Sequence, residues 1–192
     1  MKTVLFIPGF QEDLNFRNYT STITAIEKRG YKVKFVPINW KRTTIEDWVS
    51  ELDEVYATHD SSQTILAGFS YGAMTAFISA TKRNPSELWL FSLSPYFAKD
   101  LKSKNMKSTW LKQIGKRRVA AFSKLSFDEL SKDVGCKTLL FLGQIEAHKW
   151  PIMQERADEA HRLLKSNELI IVRDVGHDVA DKRYINEITH AI

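Results

Sequence analysis

The sequence predicts an α/β fold, a three-layer sandwich in which a mostly parallel sheet of about six strands has helices on both faces. Apolar runs of strand length alternate with helix-like stretches along the 192 residues. Several of these runs are too continuously apolar for a half-exposed strand, so we expect strands buried on both faces. A length of 192 residues with 43% hydrophobic and 27% charged residues suits one domain, spanning 1–192.

The first predicted strand is Thr3–Ile7, and Pro8 and Gly9 end its apolar run far short of a membrane span or a secretory signal. We therefore expect no membrane insertion. The single cysteine, Cys136, excludes an intramolecular disulfide, which fits a cytoplasmic protein. The other predicted strands are 31–38, 64–67, 88–93, 138–142 and 169–172.

Helices are predicted between these strands. The clearest has an apolar stripe of Ile45, Trp48, Val49, Leu52, Val55 and Tyr56, at i, i+3, i+4, i+7, i+10 and i+11, with Thr43 or Thr44 as N-cap. Glycine or proline follows two others, which cover 17–29 and 71–83. The last two cover 152–165 and 181 to the C-terminus.

One segment, 94–133, is about forty residues long and far exceeds the usual connection of about 2–6 residues. Its apolar residues predict short helices over the sheet, a cap-like or lid-like insertion. It also carries the basic charge of the chain, with ten Lys/Arg against three Asp/Glu between Lys99 and Lys132, whereas the whole chain has a net charge of +5.

A Gly-x-Ser-x-Gly pattern, Gly68-Phe69-Ser70-Tyr71-Gly72, lies directly after a predicted strand and directly before a predicted helix. A serine on such a sharp turn has a strained backbone and an exposed hydroxyl, and the flanking glycines avoid clashes with the neighbouring strand and helix. An ordinary turn with a serine N-cap is the alternative interpretation. The position between strand and helix favours Ser70 as a nucleophile.

With this turn in place the chain resembles the α/β-hydrolase family, and the resemblance extends from the first strand to the last helix. The family orders its catalytic residues along the chain as nucleophile, acid and histidine. The resemblance implies a minimal α/β-hydrolase fold, with a sheet of about six strands, and a serine hydrolase activity.

A serine hydroxyl needs a neutral imidazole to take its proton before it can attack an ester at neutral pH. His177 follows Gly176 between the last predicted strand and the last predicted helix, where the family keeps its catalytic histidine. A loop histidine that caps the next helix is the alternative. The other four histidines are less suitable. His59 precedes a turn, His161 and His190 lie in predicted helices, and His148 lies in the loop of the candidate acid.

The resemblance places the catalytic acid after the penultimate strand, where Glu146 stands four residues past the predicted strand end. The family usually has Asp there, so the loop must absorb an extra methylene group. A solvent-facing loop carboxylate is the alternative. Asp174 and Asp178 are rivals, but residues so close to His177 in sequence rarely point a carboxylate back at the imidazole.

Two backbone amides are expected to stabilise the oxyanion, one after the nucleophile and one in the loop after the first strand. These are the amides of Tyr71 and Phe10, with Gln11 as the alternative to Phe10. Relatives commonly carry a cap in the slot of 94–133, so candidates for lining a substrate pocket there are Trp110, Ile114 and Phe122.

The chain is therefore expected to be a metal-independent and cofactor-independent hydrolase that cleaves a small carboxylic ester or thioester through an acyl-enzyme on Ser70. The basic segment is either the solvated face of its helices or a site for an anionic group of the substrate. No groove-reading motif accompanies this charge, so nucleic acid is not an expected ligand. The alternatives are a non-catalytic binding protein on the same scaffold, and an acyltransferase or lyase.

Overall fold

The computed structural model describes residues 1–16 and 18–192, and its centre is one six-stranded sheet. The strand order is β2-β1-β3-β4-β5-β6, and every pair of neighbours is parallel. The predicted fold class is thus confirmed. The strands are β1 Thr3–Ile7, β2 Lys32–Phe35, β3 Thr64–Phe69, β4 Glu87–Phe91, β5 Lys137–Gly143 and β6 Asn167–Val172.

Burial separates the inner strands from the two edge strands. Every residue of β3 is buried, as are four of the five in both β1 and β4. The expectation that several strands are buried on both faces is confirmed for these inner strands. In edge strand β2, Lys32 and Lys34 are exposed and Val33 and Phe35 are half-buried, and in edge strand β6 only Val172 is buried. An edge strand has a neighbour on one side only and is less covered than an inner strand; in β2 charged and apolar residues alternate.

Nine α-helices occur in the described part of the chain. The long ones are α1 Tyr19–Lys28, α2 Ile45–Tyr56, α3 Tyr71–Arg83, α8 Pro151–Leu163 and α9 Lys182–Ala191, and the short ones are α4 Ser108–Ile114, α5 Lys116–Phe122, α6 Phe127–Ser131 and α7 Gln144–Lys149. The predicted start of α1, Arg17, lies outside the described residues. None of these helices is long and apolar enough to cross a membrane.

Apolar cores lie on both faces of the sheet. On one face the predicted stripe of α2 packs with α3, and Ile45, Trp48 and Leu52 are almost completely buried. Thr44 begins this helix, and its backbone amide donates to the Asp47 carboxylate over 2.8 Å. On the other face α1 and α9 contribute residues such as Ile26 and Ile188 to a second core. The sheet is therefore covered on both sides.

The segment 94–133 contains α4, α5 and α6, and two arginines are among the residues that attach it to the rest of the molecule. Arg156 of α8 is fully buried, donates to Asp100 over 3.1 Å and lies 3.9 Å from the centre of the Phe127 ring. Arg118 of α5 donates to the backbone carbonyls of Trp40, over 2.6 Å, and Thr43, over 2.9 Å. These contacts join the segment to α8 and to the chain before α2.

Candidate active site

Ser70 stands on a strained turn between β3 and α3, with φ 59° and ψ −116°. A Cβ atom on Gly68 would come within 2.2 Å of the Gly72 carbonyl oxygen. A Cβ atom on Gly72 would come within 2.3 Å of the Ile7 carbonyl oxygen. Because backbone fills both spaces, only glycine fits on either side of the serine, as the motif predicts.

The Ser70 hydroxyl is 3.1 Å from the hydroxyl of Ser94. Ser70 and His177 line the same cavity, but among the described residues the hydrogen bond of the Ser70 side chain goes to Ser94 and not to His177. Sequence reasoning missed Ser94, which is buried in the loop after β4. Its position past a strand end, at the edge of the sheet where Ser70 also lies, is the signal that could have found it.

His177 and Glu146, predicted from widely separated loops, form a close pair. The His177 Nδ1 atom is 2.6 Å from Glu146 Oε1. The imidazole packs against Phe69 with ring centres 4.5 Å apart, and the Trp150 ring lies 6.1 Å away. With Nδ1 turned to the carboxylate, Nε2 is on the opposite side of the ring.

Glu146 does not lie in a solvent-facing loop. It belongs to the first turn of α7, a helix that the sequence did not predict, and it is 1% exposed. Helix α7 starts at Gln144, directly after β5. A Cβ atom on Gly143 would come within 2.5 Å of the Gly176 carbonyl oxygen, so glycine lets the end of β5 approach the loop that carries His177. This short connection accommodates the longer glutamate side chain.

A second hydrogen bond holds the Glu146 carboxylate. Ser92 Oγ donates to Glu146 Oε2 over 2.7 Å, and the Tyr184 hydroxyl lies 3.2 Å from Ser92 Oγ. Both residues are fully buried. Burial, and then the charge of Glu146, raise the pKa of Tyr184 well above its ordinary value, so its hydroxyl is protonated at neutral pH. Sequence reasoning found neither Ser92 nor Tyr184.

The rival acids make other contacts. Asp178 Oδ1 accepts a hydrogen bond from the backbone amide of Ala180 over 3.0 Å, and Asp174 is exposed, with its backbone amide bonded to the Gln144 side chain over 3.2 Å. Of the three carboxylates considered from the sequence, Glu146 is therefore the one that the fold brings to His177. His148, the histidine nearest to Glu146 in sequence, is exposed on α7.

Phe10 and Tyr71, whose amides are the candidate oxyanion donors, line the cavity with Ser70, and their ring centres are 5.2 Å apart. Tyr71 is the first residue of α3, where the unpaired amides and the helix dipole favour negative charge. Gln11 also lines the cavity and has φ 60°, so the chain turns sharply after Phe10. Gln11 remains the alternative donor.

The cavity in front of Ser70 has a volume of about 410 Å³, and five aromatic side chains form part of its wall. Trp110 and Ile114 of α4 line it, as their apolar character predicts. Phe122 does not: it is fully buried behind Tyr71 and Tyr96, because α5 turns it into the core. The aromatic side chains on the wall are Phe10, Tyr71, Tyr96, Trp110 and Trp150.

The basic residues of 94–133 lie outside this wall. Among the residues that the structure describes, the cavity lining includes no lysine or arginine. Arg117 and Arg118 donate to backbone carbonyls of residues 40–43, and Lys107 lies over the Trp110 ring at 5.7 Å from its centre. In the dense basic stretch around residues 112–118, the two arginines therefore hold the segment in place, and none of the basic side chains lines the cavity.

Comparison with protein-family models and with curated proteins gives no match. Many solved structures do match. Est1E from Butyrivibrio proteoclasticus has a TM-score of 0.77 at 14% identity, over 99% of this chain and 84% of its own. Alpha/beta hydrolase domain-containing protein 10 from mouse gives 0.71 at 16%, over 98% and 87%. MenH from S. aureus gives 0.67 at 16%, over 99% and 91%. At these identities the likeness is one of fold.

Proposed function

The chain has the α/β-hydrolase fold, and on this scaffold we propose that it is a serine hydrolase with Ser70 as nucleophile, His177 as general base and Glu146 as the acid. One observation carries the proposal. The His177 Nδ1–Glu146 Oε1 contact of 2.6 Å is beside the cavity that Ser70 and His177 both line. A nucleophile candidate, a histidine and a carboxylate from three separate parts of the chain thus lie side by side, as acyl transfer requires.

In the first half of the reaction His177 Nε2 takes the Ser70 proton while Ser70 Oγ attacks the acyl carbonyl. The resulting oxyanion accepts hydrogen bonds from the amides of Tyr71 and Phe10. Collapse of the tetrahedral intermediate breaks the bond to the leaving group, which takes the proton from His177. The product is an acyl-enzyme on Ser70 and a free alcohol or thiol.

In the second half a water molecule gives its proton to His177 Nε2 and attacks the acyl-enzyme. The carboxylic acid leaves, and Ser70 recovers its proton from the imidazole. Glu146 keeps its charge throughout and stabilises the imidazolium that forms in both halves. Since the Ser70 hydroxyl bonds to Ser94 in the free protein, the mechanism requires it to leave Ser94 and bond to His177 when substrate is present.

A small carboxylic ester or thioester fits the cavity best. A volume of about 410 Å³ is at the low end for small-molecule sites, and its aromatic wall favours an apolar acyl group. One solved structure of Est1E contains ferulic acid, an aromatic carboxylic acid. Aromatic acyl esters therefore belong beside straight-chain esters in a first substrate panel.

A binding protein on the same scaffold is the second candidate, and the Ser70–Ser94 hydrogen bond favours it. In a protein that does not turn over substrate, Ser70 would keep this bond after a ligand enters the cavity. A structure with a bound carboxylic acid distinguishes the two functions. Ser70 bonded to His177 in that structure supports the hydrolase, and Ser70 still bonded to Ser94 supports the binding protein.

Covalent labelling with a fluorophosphonate probe tests the hydrolase. We expect stoichiometric labelling at Ser70, and loss of labelling in Ser70→Ala and in His177→Ala, because an unactivated serine reacts slowly. His148→Ala is the matched control, since His148 is exposed on α7 and should leave labelling unchanged. A folded wild-type protein that neither labels nor cleaves any ester of the panel would contradict the proposal.

A further inference from the structure

We propose that Ser92 and Tyr184 are positioning residues, which hold the Glu146 carboxylate through a chain of hydrogen bonds and thereby orient His177. The inference rests on the proposed function of the Ser70 site and adds to it two residues that contact neither substrate nor nucleophile. The chain runs from Tyr184 of α9 through Ser92 after β4 to Glu146 of α7.

The direction of every bond in this chain follows from its protons. The Glu146 carboxylate only accepts, so the one proton of the Ser92 hydroxyl is donated to Oε2 over 2.7 Å. Ser92 Oγ is then an acceptor for the Tyr184 hydroxyl at 3.2 Å. Tyr184 has a proton to give, because its burial and the nearby Glu146 charge disfavour the phenolate.

The same count fixes the tautomer of the imidazole. Because the carboxylate only accepts, the contact of 2.6 Å is a hydrogen bond from His177 Nδ1–H to Oε1, while Ser92 bonds to Oε2 and fixes the carboxylate in place. A neutral imidazole protonated at Nδ1 has a lone pair at Nε2. That is the form a general base needs toward Ser70. Ser92 therefore acts on the chemistry through Glu146.

A glutamate at this position depends more than an aspartate on a hydrogen bond that fixes its carboxylate. Its side chain has one more rotatable bond than aspartate, so its carboxylate has more orientations to lose. With Glu146 1% exposed, water has little access to replace a missing partner. Removing the Ser92 hydroxyl would take from Oε2 the hydrogen bond that it has in this fold.

The backbone conformation of Ser92 is a second, independent observation that supports its role as a positioning residue. Ser92 has φ 50°, in the left-handed region that glycine occupies without strain. Its amide donates to the Phe141 carbonyl over 2.8 Å, so the residue is fixed between the ends of β4 and β5. A strained serine at a position suited to glycine indicates that its hydroxyl has a use.

Kinetics of three variants test the proposal with the best ester of the panel. We expect Ser92→Gly and Ser92→Ala to lower kcat about tenfold and Tyr184→Phe to lower it about threefold. KM should stay within about twofold, because none of these side chains lines the cavity. Ser92→Gly suits the positive φ, so it guards against misfolding. Ser79→Ala is the matched control: it removes another buried serine that donates to a carboxylate, that of Asp53, and should not change kcat.

The proton on His177 Nδ1 supplies a readout that needs no substrate. In the wild type its NMR resonance should lie far downfield, and in Ser92→Gly it should move or broaden, with Ser79→Ala unchanged. Wild-type kcat and an unmoved resonance in Ser92→Gly would overturn the proposal. If the wild type proves inactive, the resonance alone decides: a shift supports the hydrogen-bonded chain while the hydrolase proposal fails, and no shift refutes the chain as well.

Discussion

Glu146 depends on the exact start of a short helix. Helix α7 begins at Gln144, one residue after β5 ends, so Glu146 is in its first turn. There its carboxylate reaches His177 on one oxygen and Ser92 on the other. A buried carboxylate with two hydrogen bonds has one orientation, and that orientation determines the direction of the imidazole.

Glu146→Gln should lower kcat by about a thousandfold with little change in the free energy of unfolding. The amide keeps the shape of the side chain, but it lacks the charge that stabilises the imidazolium, and its NH₂ group can turn toward His177 Nδ1. Steady-state kinetics and urea unfolding measure the two effects. Glu168→Gln, at an exposed position of β6, is the control. A loss of less than tenfold in Glu146→Gln would argue against Glu146 as the acid.

Single residues differ in how well the sequence predicts them. Ser70, His177 and Glu146 follow ends of predicted strands, so the order of a parallel sheet is enough to bring them to one edge. Ser92, Ser94 and Tyr184 depend on local geometry: the positive φ of Ser92 and the packing of α9 decide what their hydroxyls meet. A position past a strand end can place Ser94 near Ser70, but the sequence does not show which group each of these three hydroxyls meets. Phe122 was misplaced because the direction of its side chain also depends on tertiary packing.

At the scale of elements, the molecule consists of a regular sheet and a less regular segment attached to it. Helices α2 and α3 agree with their predicted ranges because each has a long apolar face and clear end signals. Helices α4 to α7 have 5–7 residues, too few for a periodic pattern to give their limits. Their positions depend on tertiary contacts such as that of Arg156 with the Phe127 ring of α6.

Arg156→Met should lower the free energy of unfolding by about 3 kcal/mol at neutral pH, because it leaves Asp100 buried without its counter-charge. Burial already raises the pKa of Asp100. The loss should therefore shrink as the pH falls and Asp100 takes up a proton. Urea unfolding across the acidic range measures both effects.

Arg162→Met is the control for this change. Arg162 is on the same helix and pairs with Glu159 over 3.6 Å, but its side chain is 63% exposed, so we expect a loss under about 0.5 kcal/mol. Equal losses in Arg156→Met and Arg162→Met would show that burial of the Arg156–Asp100 pair is not what attaches the segment.

At the scale of the whole molecule, alternation of strands and helices predicts the architecture, and six parallel strands follow from it. The directions of the basic side chains do not follow from the sequence. The count of basic residues located a charged segment, but a count gives no direction to a side chain. In the fold Arg117 and Arg118 donate to backbone carbonyls, Lys99 and Lys132 pair with carboxylates, and none of these side chains lines the cavity in front of Ser70.

Acid should destabilise the whole molecule in part through two carboxyls whose pKa values are lowered. Hydrogen bonds from Arg183 lower the pKa of Asp181; for Glu159, burial acts to raise the pKa, but Lys99 and Arg156 outweigh it. Their stabilisation is complete above the ordinary values of 3.8 and 4.5 and is lost as the pH falls through the lower folded values.

The urea midpoint should therefore decrease below about pH 4.5, and Asp181→Asn should flatten part of that decrease. Asp133→Asn, at an exposed position, should leave the slope as it is in the wild type. An unchanged slope in Asp181→Asn would remove the cap of α9 from the causes of acid unfolding.

The part of the cavity wall that α4 contributes contains none of the proposed catalytic residues. Trp110, Gln113 and Ile114 project from a helix that has none of Ser70, His177 and Glu146. Under the proposed function, substitutions on this helix change the shape of the cavity, while Ser70, His177, Glu146 and the sheet beneath them stay in place. Under the proposed function, variation at these three positions changes which acyl group the cavity accepts but not the reaction. The same three positions suit a library of variants designed to change substrate specificity.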